Sequence, residues 1–184
     1  MNIDTQTLIW LFPIAFMFHD FEELIFGDPW LRKNAADIRA RIQGRVPAFI
    51  ADQIGTVLEK PAAELAFPVC LIFAMSSLSA FLAAQNGSYG FFLLASGSFF
   101  LHGFMHAGQA VMLRRYVPAV ITSVVIAIPY GLVLYGRLLG EGIVTLPQLL
   151  VYFAFAILLT IPFILVMHRL GSFLYRKSVE LLVG

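Results

Sequence analysis

Residues 8–26 read "LIWLFPIAFMFHDFEELIF". The first eleven residues are those of a membrane helix, with one proline and no charge. The remainder carries His19, Asp20, Glu22 and Glu23. An ionisable side chain near the middle of a membrane costs about 2.5–3.5 kcal/mol on insertion scales. Four of them at one end of an apolar run therefore predict a polar interior that receives them.

Composition supports the membrane reading. The 184 residues suffice for one domain; they are 60% hydrophobic and 12% charged, with 18 Phe and a mean hydropathy of +0.86. Soluble domains are only about half apolar. A net charge of +1 offers nothing to a nucleic acid. The single cysteine, Cys70, excludes intrachain disulfides and CxxC centres. The N-terminus has no basic region and no small-residue cleavage site, so the first apolar run is expected to stay on the protein.

Five stretches approach the roughly 20 residues needed to cross a bilayer: 6–26, 62–84, 89–113, 117–139 and 146–168. The predicted fold is all-α, a polytopic membrane helix bundle of about five transmembrane helices forming one domain. Of the 12 Lys and Arg residues, all but Arg137 fall on one side of this arrangement. Basic loops face the cytoplasm, which predicts an integral membrane protein, N-terminus outside and C-terminus inside. Residues 28–60 form the one long polar stretch. Asp28 is expected to cap a helix beginning at Pro29, with Leu31, Ala35, Ile38 and Ile42 on one stripe. "GRVP" at 44–47 breaks it, and a second stripe follows through Phe49, Ile50, Ile54, Val57 and Leu58. Two amphipathic interfacial helices are predicted, serving as anchors or as a lid.

The costly residues fall at one depth. The first and third stretches run the same way, placing His19, Glu22, Glu23, His102 and His106 in the cytoplasmic half. Glu64 opens the second stretch and His168 closes the fifth at the same level. His19 and Glu23 are i and i+4, as are His102 and His106, so each pair shares a helix face. Facing one another they would supply three imidazoles and a carboxylate, a donor set for Zn²⁺ or Fe²⁺. His19, Glu23, His102 and His106 are the expected ligands of a divalent metal; Glu22 and Glu23 are the candidate catalytic carboxylates. Asp20, Glu64, Arg115 and Tyr116 are candidates for supporting the ligands or binding substrate. Pro13, Pro68, Pro129 and Pro162 are expected to kink their helices. Gly103 and Ala107 form a small-xxx-small pair beside the two histidines.

With His19, Asp20, Phe21, Glu22 and Glu23, the chain resembles a family of small bacterial membrane proteins named for an HXXEE motif. That family also carries a second histidine followed by a Y-x-P-G element. Here His106 precedes Tyr116 and Pro118, with Ala119 in place of the glycine. A turn that used glycine's permissive backbone would have to relax at that position. The resemblance implies roles for His19, Glu22, Glu23 and His106 and a bacterial inner membrane as the location, and implies no substrate.

The leading expectation is a membrane-embedded, metal-dependent enzyme, a hydrolase or related lipid-modifying enzyme, acting on a lipid or isoprenoid-like substrate. Its partners are then membrane lipid and a hydrophobic small molecule, with self-association left open. A metal-free enzyme starting isoprenoid chemistry from a protonated Glu22 or Glu23, a small proton- or cation-coupled transporter, and a non-catalytic scaffold are the alternatives. No internal repeat supports the transporter, and four histidines are few for a His-rich di-iron site. Ser76, Ser77 and Ser79 have no neighbouring histidine in sequence, and no Gly-rich phosphate loop is present.

Overall fold

The computed structural model describes residues 3–44, 47–48 and 62–183. Among these it holds five long helices and no strand: α1 (Thr5–Ile42), α2 (Ala62–Asn86), α3 (Tyr89–Leu113), α4 (Val120–Gly140) and α5 (Leu146–Leu182). The chain is a helical bundle. The four helices α2 to α5 are each long and apolar enough to cross a membrane. By that measure α1 falls short, since its middle carries the four ionisable residues. Its outward face is nonetheless apolar at their level: Phe18, Phe21 and Ile25 are all about half exposed or more. The other helices likewise turn Val124, Val125, Leu150, Ile157 and Leu158 outward, an exterior suited to hydrocarbon rather than water.

α1 packs along α2, α5 against both α2 and α3, and α4 against α1 and α3. The half of the bundle nearest the start of α1 is filled by apolar side chains. Phe12 meets Phe92 edge-on and stacks on Tyr130, and Phe16 meets Phe99. These pairs set α1 and α3 parallel and in register, so that the next turns of each bring His19 level with His102 and His106. The same end is sealed by Thr5, which donates to Glu141, and by Arg137, which donates to the Ile3 carbonyl.

Several boundaries differ from the sequence expectation. No helix starts at Asp28: α1 runs unbroken from Thr5 through Pro29 to Ile42. Pro29 removes one backbone donor, but the Asp28 carboxylate binds the Arg32 side chain one turn on instead of capping a new helix. The first expected interfacial helix is thus a continuation of α1. The stripe from Phe49 to Leu58 lies outside the described residues. α5 likewise runs on past residue 168. By the rise of an α-helix, α1 is about 57 Å long, nearly twice the roughly 30 Å of a hydrocarbon core.

α4 contains a π-helical turn, Ser123–Ala127, followed by an α-helix from Ile128. Pro129 has no N–H and its ring would collide with the carbonyl of Val125 in a regular α-helix; a wider turn at that point relieves both. The close approach of α3 and α4 depends on small residues. A Cβ on Gly103 would sit 3.3 Å from that of Ala127. On the other side of the bundle, Gly171 of α5 lies against the backbone of Pro68 in α2. A Cβ there would stand 2.7 Å from the Pro68 nitrogen and 3.1 Å from its Cα, and backbone cannot step aside as a side chain can. Gly171→Ala is expected to cost about 3 kcal/mol, the upper part of the overpacking range, read as a lower unfolding temperature in detergent.

Candidate metal centre

Four donors meet where the apolar half of the bundle ends. His19 and Glu23 come from α1, His102 and His106 from α3. One ligand atom from each lies within 4.8 Å of every other. The Nε2 atoms of His102 and His106 are 2.8 Å apart, and Glu23 Oε2 is 3.9 Å from His106 Nε2. The His19 ring stands edge-on to both, with centroids 5.4 and 5.1 Å away, and is backed by Phe99.

His19 and His106 are buried. Among the described residues, His19 Nε2 and His102 Nδ1 are buried without a hydrogen-bond partner. Such orphaned polar atoms are uncommon in native interiors. Two imidazole nitrogens at 2.8 Å must either share a proton or point at a common cation. Three imidazoles and one carboxylate converging in this way could hold a metal ion, and they match the ligand types of zinc and ferrous iron. Glu23 is the open member, with 45% of its side chain accessible against 7% for His106.

Glu22 does not face this set in the same way. Its Oε1 accepts from the Tyr116 hydroxyl at 2.8 Å and the Ile121 N–H at 3.3 Å; its Oε2 accepts from the Thr122 N–H at 2.7 Å and the Thr122 hydroxyl at 2.6 Å. The free N–H groups at the start of α4 are thereby satisfied by a carboxylate from α1, the arrangement a helix N-terminus favours. The Tyr116 phenol is pushed above its ordinary range by burial and by its bond to Glu22, so it stays a donor.

The segment between α3 and α4 is tied to α1 further along as well. The Trp30 indole donates to the Tyr116 carbonyl at 2.7 Å. Arg115 donates to Asn34 Oδ1 at 2.6 Å and to Asp37 Oδ2 at 2.7 Å. Bonds from Arg41 and then Arg115 hold the Asp37 carboxyl below the usual carboxylate range. Ala119 does not relax: its backbone is left-handed, φ 67°. Such a conformation costs an L-residue roughly 1–2 kcal/mol, and the fully buried methyl of Ala119 offsets part of it.

Of the remaining sequence candidates, Asp20 is buried beside His19 but is not among the four donors. Glu64 lies in the first turn of α2 and His168 within α5, both outside the set. Arg115 serves Asn34 and Asp37, and Tyr116 serves Glu22. Sequence reasoning missed Thr122, Trp30, Asn34 and Asp37. The one available signal for Thr122 was a hydroxyl in the first turn after a proline, a position that favours local capping.

A family model described as "Protein of unknown function with HXXEE motif" matches residues 10–134. That stretch begins within α1 and ends within α4, so it contains all four donors, Glu22 and the segment that binds it. No curated protein and no solved structure matches the chain.

Proposed function

The chain belongs to the family of proteins of unknown function with the HXXEE motif, and we propose that it is a membrane-embedded enzyme that holds zinc or ferrous iron at the His/Glu cluster and acts on a lipid or isoprenoid-like substrate. The observation that carries this reading is the convergence of four donor atoms within 4.8 Å inside a bundle whose exterior is apolar. Counting α1 as a fifth span, the basic residues near the ends of α1, α3 and α5 support an orientation with the N-terminus outside and the cluster in the cytoplasmic half, and we take the membrane to be a bacterial inner membrane.

A divalent ion held there supplies Lewis acidity toward a carbonyl or phosphoryl oxygen. The residues of the chain do the rest. His19, His102 and His106 form the closed side and exclude water. Glu23, on the open side, is placed to accept a proton from an incoming water or hydroxyl, a role that needs a carboxylate with a free oxygen. Glu22 has none, since four donors occupy its two oxygens. It is assigned to holding the start of α4 rather than to proton transfer. The apolar exterior supports the bilayer as the route by which such a substrate would arrive.

The test is elemental analysis of protein purified in detergent without added metal. About one zinc or iron per chain is expected, as in other three-histidine sites, removable by a strong chelator. Protein that carries no stoichiometric metal, and takes up none on reconstitution, would overturn the reading; proton or cation flux in proteoliposomes by that same protein would hand the cluster to a carrier.

A further inference from the structure

Thr122 Oγ1 lies between a carboxylate and an imidazole, 2.6 Å from Glu22 Oε2 and 3.3 Å from His19 Nδ1. Backbone N–H groups can only donate, and one binds each oxygen of Glu22. Both oxygens of Glu22 are therefore acceptors. A hydroxyl has a single proton to give. The 2.6 Å carboxylate contact takes it in preference to the Ala119 carbonyl at 3.3 Å, because bonds to an ionised acceptor are shorter and stronger. Toward His19 the same oxygen can then only accept. His19 must carry its hydrogen on Nδ1, and in a neutral imidazole this leaves the lone pair on Nε2. Nε2 is the buried ring nitrogen that has no partner among the described residues.

We propose that Glu22, Thr122 and His19 form a tautomer lock, in which Glu22 orients the Thr122 hydroxyl and Thr122 fixes His19 with its Nε2 lone pair free for the cluster. The first glutamate of the motif thereby acts on the histidine three residues before it, through a hydroxyl a hundred residues further along the chain. Thr122 is a positioning residue. It needs a hydroxyl that both donates and accepts, which serine can supply and valine cannot. A ligating histidine whose other nitrogen is held by such a partner is pre-oriented for a metal. The consequence for affinity rests on the metal reading above; the tautomer itself does not.

The experiment has two arms. Nitrogen-15 imidazole spectra of metal-free protein in micelles report which nitrogen of His19 is protonated, with His19→Gln identifying its signals. The wild type is expected to show Nδ1–H alone, Thr122→Ser to keep it, and Thr122→Val to show a mixture. Cobalt(II) titration then reads affinity, which is expected to fall about 10–100-fold in Thr122→Val, the range found when a ligand's hydrogen-bond partner is removed, and to recover in Thr122→Ser. Wild-type His19 protonated on Nε2 would overturn the proposal without recourse to any variant, and so would an unchanged tautomer in Thr122→Val. A locked tautomer in a chain that binds no cobalt supports the lock and overturns the metal reading.

Discussion

His106→Ala is expected to give a bundle that still folds but retains no divalent metal. His106 is the most connected of the donors. Its Nε2 lies 2.8 Å from that of His102 and 3.9 Å from Glu23, and its ring meets that of His19. Its loss removes a ligand and also opens a gap between the remaining three. The fall in affinity should exceed the roughly 100-fold limit that applies to residues supporting ligands. Elemental analysis after purification, with a cobalt titration of wild type and variant side by side, measures it. An unchanged metal content would show that the ion sits elsewhere.

Glu22→Ala is expected to cost about 4 kcal/mol of stability, a loss of exceptional size for one substitution. Four donors lose their acceptor at once, and a hydrogen bond to a charged group contributes about 1.5–3 kcal/mol. The four share one carboxylate and so do not add independently. Glu22→Gln keeps one acceptor oxygen and should cost less than half as much. Thermal unfolding in detergent distinguishes them. Equal stability of Glu22→Ala and wild type would mean that the segment before α4 is held by Trp30 and Arg115 alone.

The parts of this arrangement that repeat along a helix could be read from the chain. His19 with Glu23, and His102 with His106, are i,i+4 pairs that the order of apolar stretches and loops sets at one depth, and the structure has all four in one group. What could not be read was contact between a helix and an irregular segment. Nothing in the order of residues announces that Tyr116, Ile121 and Thr122 all turn back onto Glu22, because that depends on the left-handed backbone at Arg114 and Ala119, and neither residue type advertises it. Asp28-Pro29 misled for a related reason. It has the composition of a helix start, yet the packing of α1 and the bond from Asp28 to Arg32 carry the helix straight through. Carboxylate identity was equally opaque. Glu22 and Glu23 are adjacent in sequence, but the 100° between them on the helix gives one to the start of α4 and the other to the histidines.

The wide turn at Ser123–Ala127 acts as a spacer of fixed length between two parts that cannot rotate freely. Downstream, Gly131 is wedged against Phe100; upstream, Thr122 is bound to Glu22. Winding the same five residues as ordinary α-helix would swing one end roughly 90° relative to the other, detaching the hydroxyl from His19 while every side chain in the cluster remained present. Val124 and Val125 point outward and can exchange for other apolar residues. In this stretch the winding of the backbone is under tighter physical constraint than the identity of its side chains.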